Sequence, residues 1–171
     1  MTNDAPTTAP IPTGRIADGP LGQEIQLVRK FRAPIDAVWA AMTESDRLGR
    51  WIGRWEGDPR TGRVDFFMTA EGEDPPAAEY RIEVCEPPHR FAGTTAVGED
   101  QWHLRFELSE HAGITTLVFA QKMVADVGDV GPGWEYYLDR LVAALTDDDI
   151  TAVHWDAYYP VMRAYYSALA G

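Results

Sequence analysis

The chain has 171 residues, enough for one domain with a buried core that needs no disulfide or metal to fold. Hydrophobic residues make up 45% of it and the formal net charge is -12, which excludes a wholly disordered chain and argues against nucleic-acid binding. The single cysteine, Cys85, excludes an internal disulfide framework. The N-terminus lacks a signal-peptide pattern, and no apolar run approaches the length of a membrane span. We therefore expect a cytoplasmic protein without membrane insertion.

The composition divides the chain into three parts. Residues 1–22 carry four prolines among Thr, Ala and Gly and few large apolar side chains. Such a segment cannot offset the entropy lost on ordering, so we predict a flexible tail over 1–22. The folded domain is predicted over 23–146, and a helical extension over 147–171, packed on the domain or at an oligomer interface.

Alternation of apolar residues predicts most strands. It indicates a first strand over 24–32, followed by a helix from Pro34 and a short helix that Ser45 caps and that ends near Trp51. Further alternating runs predict an antiparallel meander, with strands around Val64–Met68, Tyr80–Val84, Phe91, Trp102–Leu108 and Thr115–Gln121.

The period then changes to that of a helix. Trp134, Tyr137, Leu138 and Leu141 recur at helical spacing up to residue 145, after a start at Pro132. The acidic run 147–149 is unfavourable at a helix C-terminus, so we end this helix near 145. A last helix is predicted over 155–169, bent at a proline.

This order resembles the SRPBCC (START-like, helix-grip) superfamily, and within it the branch of the activator of heat-shock protein 90 ATPase homologues. The resemblance covers about residues 23–145. Its motifs are Arg29-x-Phe31-x-Ala33-Pro34, Leu48-x-Arg50-Trp51, Glu86-Pro87-Pro88-x-Arg90, 113–121, and Gly131-x-Gly133-Trp134-x-x-Tyr137-Leu138-x-x-Leu141. It implies an α+β helix-grip (START/Bet v-like) fold, in which a curved antiparallel sheet of six or seven strands wraps a long C-terminal helix. Two short helices follow the first strand, and the helix of 147–171 is additional to the usual domain.

The resemblance also implies a cavity between the sheet and the long helix. Large apolar side chains with a few polar tips are the usual lining of a small-molecule pocket. Complete filling of the core by the same side chains is the alternative. The candidate lining residues are Trp51, Phe66, Met68, Tyr80, Trp102, Phe106, Phe119, Gln121, Trp134, Tyr137 and Leu141.

Two polar residues lie on the apolar side of predicted strands. Gln121 shares a face with Leu117 and Phe119, so its amide binds either a ligand or, as we favour, an internal group. It stands where many relatives carry a histidine, which argues against proton transfer at this position. Arg29 shares a face with Leu27 and needs a carboxylate partner or an anionic ligand; we favour an ion pair.

Motifs for metal, cofactor or nucleophile chemistry are weak. The four histidines and Cys85 lack metal-ligand spacing, and the serines lie outside any nucleophile elbow, so we predict no metal, no cofactor and no catalytic residue. The glycines of 128–133 do not have dinucleotide-binding spacing, and we interpret them as a flexible gate beside the cavity.

Three functions stay open. The first, which we favour, is non-catalytic binding of a small hydrophobic or amphipathic molecule. The second is a polyketide cyclase or aromatase-like enzyme, in which Gln121, Tyr80, Tyr137 or Arg29 would polarise a carbonyl. The third is a chaperone-associated or regulatory module that binds a protein partner. A homodimer through the aromatic residues of 155–169 is also left open.

Overall fold

Eight antiparallel strands form one sheet, and a long helix packs against one face of it. The computed structural model describes residues 8–171, so residues 1–7 of the predicted tail lie outside the described range. The strands are β1 Arg15–Gly19, β2 Gly22–Phe31, β3 Arg54–Glu56, β4 Arg63–Phe67, β5 Ala77–Glu86, β6 Arg90–Val97, β7 Asp100–His111 and β8 Ile114–Lys122. The helices are α1 Ile35–Thr43, α2 Ser45–Leu48, α3 Val127–Leu145 and α4 Arg163–Leu169. The sheet order is β1-β2-β8-β7-β6-β5-β4-β3, which confirms the α+β helix-grip prediction with eight strands in place of six or seven.

The predicted tail is wrong over its second half. Residues 15–19 form β1, which pairs with β2 and sets Ile16 opposite Ile25. Just before it, the backbone N–H of Gly14 donates to the buried carboxylate of Glu135 at 3.1 Å. The segment has few apolar side chains of its own, but the free edge of β2 and a buried charge supply hydrogen-bond partners for its backbone. The folded domain therefore begins before residue 15.

The start of α2 also differs from the prediction. Its N-cap is Glu44, and the hydroxyl of Ser45 instead donates to the carbonyl of Trp55 at 2.8 Å and accepts from the N–H of Trp55 at 2.9 Å. The Ser45 side chain thus ties α2 to β3, the three-residue edge strand that the sequence pattern did not predict.

The predicted flexible gate is part of a helix. α3 begins at Val127, so the glycines of 128–133 lie within its first two turns. Two of them allow close packing, because Cβ atoms at Gly128 and Gly131 would clash with Ser167 and Tyr166 of α4. The prediction that α3 ends near 145 is confirmed.

The residues after α3 do not form one bent helix. Two short helical turns, Ile150–Ala152 and Trp155–Ala157, precede α4. Proline at 160 lacks a backbone N–H donor and interrupts helical hydrogen bonding. Tyr158, Met162 and Tyr166 are buried and belong to the same core as the sheet and α3, so this extension packs on its own domain.

Candidate functional site

The register of the strands arranges the sheet face beneath α3 in rows. One row sets Leu27 of β2 opposite Phe119, then Phe106 and Phe91. The next row sets Gln121 between two apolar neighbours, Ile25 and Leu104. A third row contains Trp102, Thr95, Tyr80 and Val64. Aromatic and aliphatic groups therefore cover this face, and Gln121 interrupts them.

An aromatic stack occupies the side of this face next to α1. The rings of Tyr80 and Phe91 stack at a centroid distance of 6.0 Å, and those of Phe91 and Phe106 stack at 5.4 Å. Trp39 of α1 lies 5.5 Å from Phe106 and closes the stack. The Tyr80 ring covers Gly93, where a side chain would clash with it. Burial, and then the nearby Glu83 carboxylate, raise the pKa of Tyr80 well above its ordinary value.

A second aromatic group lies beside α3. The ring of Trp134 packs on Phe119 at a centroid distance of 4.4 Å, with Trp102 and Tyr137 at 6.5 Å and 6.4 Å from it. Trp102, Trp134 and Tyr137 are half-buried, whereas Phe119 is buried. The group therefore runs from the core towards the surface.

Several apolar side chains on this face and on the adjoining side of α3 are only half-buried. We call seven of these half-buried side chains, chosen because they lie around Gln121 and Trp134 or next to β4, the aromatic groove. Its members are Phe66, Met68, Tyr80, Trp102, Leu104, Trp134 and Tyr137.

The amide of Gln121 lies at the base of the groove. Its side chain is 0% exposed, and Oε1 accepts a 2.6 Å hydrogen bond from Nε1 of Trp134. An indole nitrogen only donates, so this bond fixes which end of the amide is oxygen. Among the buried side-chain nitrogen and oxygen atoms of residues 8–171, Nε2 of Gln121 alone has no hydrogen-bond partner. The interpretation of Gln121 as inward-facing is therefore correct, and its internal bond satisfies one half of the amide.

A hydrogen bond joins the two sides of the groove. The hydroxyl of Tyr137 on α3 donates to Oε1 of Glu71 at 3.0 Å, and Glu71 belongs to the short helical turn Thr69–Glu71 between β4 and β5. Burial, and then the Glu71 carboxylate, raise the pKa of Tyr137 above its ordinary value. The β4–β5 connection is thus held against α3.

Arg29 is held in an ion pair. Its guanidinium donates to Glu135 at 2.8 Å and to Asp139 at 3.1 Å. Glu135 is 1% exposed and also accepts hydrogen bonds from Thr13 and Tyr166. Burial alone would raise the pKa of Glu135, but the bonds from Tyr166, Thr13 and Arg29 outweigh it and hold that pKa below its ordinary value. The arginine therefore has two carboxylate partners and is not a free anion site.

The predicted site residues fall into two sets. One set is buried in the core and consists of Trp51, Phe106, Phe119 and Leu141. Within it, the indole N–H of Trp51 donates to the carbonyl of Ala41 at 2.9 Å. The other predicted residues form the groove or its base.

Three contributing residues were not among those predicted from the sequence. Leu104 alternates with Trp102 and Phe106, so its pattern was sufficient to identify it. Trp39 lies on the predicted helix that starts at Pro34, but it is absent from the predicted lining residues. Glu71 lies in a polar connection without a motif, so no sequence signal identified it.

Two surface pockets lie outside the aromatic groove. One of about 180 Å³ lies between α2 and the end of α3, lined by Arg47, Arg50, Trp51 and Leu145 among others. The other, of about 240 Å³, lies at the ends of β7 and β8, beside His103 and Lys122. The expected cavity under α3 is thus largely occupied by the aromatic side chains, because their rings pack on one another.

Residues 8–171 contain no cluster of three or more His, Cys, Asp or Glu side chains suited to a metal ion. Within the same range, no helix has the length and apolar character needed to cross a membrane.

Several solved structures share the fold. CalU16 from Micromonospora echinospora is 25% identical, with a TM-score of 0.70 over 95% of this chain and 98% of that one. The Bordetella parapertussis protein encoded by BPP1335 is 26% identical, with a TM-score of 0.62 over 90% and 95% of the two chains. DynU16, from the dynemicin biosynthetic locus, is 20% identical, with a TM-score of 0.56 over 72% and 47%.

Sequence comparison gives the family. No curated protein sequence matches the chain. The family model described as Activator of Hsp90 ATPase homolog 1-like protein matches residues 32–146, about two thirds of the chain. This range contains the two short helices, strands β3 to β8 and all of α3. The chain therefore belongs to the Activator of Hsp90 ATPase homolog 1-like family, within the SRPBCC superfamily that its sequence motifs indicate.

Proposed function

We propose that the protein binds a small hydrophobic or amphipathic molecule in the aromatic groove, without transforming it. The observation that carries this proposal is the incomplete burial of large apolar side chains, among them Trp102, Trp134 and Tyr137, next to a buried core. Aromatic walls with a few polar tips are typical of small-molecule sites.

The energetics are adequate for such a ligand. A molecule that removes about 200 Å² of apolar surface from water gains about 5 kcal/mol before the costs of ordering and association. Because the rings pack on one another in this structure, entry requires the Tyr137 ring to turn aside while Trp134 keeps its bond to Gln121. Tyr137 is only half-buried, so its ring does not have to leave a closed core.

The polar groups of the groove favour binding over catalysis. The amide of Gln121 does not transfer protons, and the raised pKa values of Tyr80 and Tyr137 keep both phenols protonated at neutral pH. The Arg29 guanidinium is engaged by Glu135 and Asp139 and is therefore not free to bind a substrate carbonyl. General acid–base catalysis needs a group whose pKa lies near the working pH.

Titration with Nile red, a neutral dye that fluoresces in apolar surroundings, tests the proposal. We expect a saturable fluorescence increase that Trp134→Ala weakens at least fivefold. Trp155→Ala is the matched control, because Trp155 is 41% exposed and packs on Tyr136 and Tyr159, outside the groove. Absence of saturable binding, or equal loss in both variants, would contradict the proposed site.

A further inference from the structure

The base of the aromatic groove contains a buried hydrogen-bond donor without an acceptor. Nε2 of Gln121 has no partner, although the residue is 0% exposed. An unpartnered buried donor is rare because it gives up its bonds to water without replacement. Its presence is unexpected in a position that serves packing alone.

The orientation of the amide is fixed, so the donor cannot become an acceptor. The indole N–H of Trp134 occupies Oε1 at 2.6 Å. A flipped amide would set two donors, the Trp134 N–H and the amide NH₂, against each other. The donor end therefore stays a donor as long as Trp134 keeps its place.

The immediate surroundings offer no rival acceptor among side chains. The neighbours of Gln121 across the sheet are Ile25 on β2 and Leu104 on β7, and both present only carbon. Along β8, Phe119 lies on the same face. The Nε2 donor is therefore available to an acceptor on a molecule that enters the groove.

We infer that Gln121 determines ligand specificity, selecting apolar ring systems that carry a carbonyl or similar hydrogen-bond acceptor over hydrocarbons of the same shape. This inference rests on the proposed function, since it concerns a ligand of the same groove. The apolar walls supply most of the affinity, and the amide N–H distinguishes the ligands. Sites that bind a polar group through a buried partner reject the analogue that lacks it.

Fluorenone and fluorene provide the test, because the two tricycles differ only in a carbonyl in place of a methylene group. Each is measured by its displacement of Nile red. We expect the native protein to bind fluorenone about threefold to tenfold more tightly than fluorene, the usual gain from one hydrogen bond. Methionine in Gln121→Met has a similar length but no N–H donor. Fluorenone then loses its hydrogen bond to water on binding and gains none from the protein, so the preference for fluorenone over fluorene should vanish or reverse.

Gln121→Leu repeats the test with a different side chain, and thermal unfolding shows which variants are folded. A second readout does not depend on a substitution. In a nitrogen–proton NMR spectrum of the native protein, fluorenone should shift the Gln121 side-chain amide signal and fluorene should not.

The outcomes separate the two proposals. If neither tricycle displaces Nile red and the dye itself does not bind, the proposed function fails. If both displace it with the same relative affinity in the native protein and in the folded variants, and the amide signal does not move, the groove binds ligands but Gln121 does not select them.

Discussion

The ring of Tyr166 in α4 packs directly on the backbone of Gly131 in α3. A Cβ atom at position 131 would clash with that ring, and Tyr166 is fully buried. We therefore expect Gly131→Ala to destabilise the protein by about 1–3 kcal/mol, the usual cost of overpacking, although alanine has the better helix propensity.

Gly133 provides the control for this substitution. It lies in the same helix, but no atom would come within 4 Å of a Cβ atom there. Gly133→Ala should therefore stabilise the protein by up to about 1 kcal/mol. Urea unfolding measures both free energies, and equal stability of the two variants would contradict the packing of α4 on α3.

The carboxylate of Glu135 should make the stability depend on pH. Its pKa is lower in the folded protein than its ordinary value, so ionised Glu135 stabilises the fold at neutral pH. This contribution is present above the pKa of the unfolded chain and is lost as the pH falls through the lower folded value. Glu135→Gln should cost about 2–3 kcal/mol at neutral pH, because it weakens charged hydrogen bonds to Arg29 and Thr13.

The same variant should flatten the loss of stability in acid. Urea unfolding at steps from pH 7 down to about pH 3 gives a curve of stability against pH for the native protein and for the variant. Asp58→Asn is the control, because Asp58 pairs with Arg60 at the surface, where solvent screens the charges, and should change the curve far less. If stability falls with pH equally steeply in Glu135→Gln and in the native protein, the Glu135 carboxylate is not the origin of the pH dependence.

Local periodicity predicted the elements whose burial is regular. Trp134, Leu138 and Leu141 repeat at helical spacing, and α3 forms there because one stripe of the helix is buried. The strands of the meander alternate because only one face of the sheet packs on α3. The apolar side chains that these elements turn towards α3 follow from the same patterns.

Elements held by distant partners were not predictable in this way. β1 depends on the edge of β2, and Gly14 on a carboxylate 121 positions further along the chain. The first turns of α3 contain three glycines, which disfavour a helix locally. Two of them leave the space in which α4 packs against α3. Tertiary contacts override the local preference in each case.

Gln121 and Trp134 should be energetically coupled through their hydrogen bond. Trp134→Phe removes the indole N–H and leaves both ends of the buried amide unpartnered, which should cost about 1–3 kcal/mol. Gln121→Met removes the buried amide, so adding Trp134→Phe to it should cost less. A double-mutant cycle from urea unfolding should give a coupling of about 1 kcal/mol. Strict additivity would show that the 2.6 Å bond contributes nothing to stability.

The bond between Tyr137 and Glu71 should limit the rate at which ligands exchange. It links α3 to the turn Thr69–Glu71 across the groove, so a ligand that passes between them must break it. Tyr137→Phe should therefore speed both association and dissociation of Nile red about twofold to tenfold and leave the dissociation constant nearly unchanged. Stopped-flow fluorescence measures both rates.

Tyr159→Phe is the matched control for Tyr137→Phe. Its hydroxyl also donates to a carboxylate, that of Asp129 at 3.0 Å, but Tyr159 packs on Trp155 in the C-terminal extension. Exchange rates in this variant should equal those of the native protein. Glu71→Ala should reproduce the effect of Tyr137→Phe, because it removes the other half of the same bond. Unchanged rates in both groove variants would show that ligands enter by a route that does not pass between α3 and the β4–β5 connection.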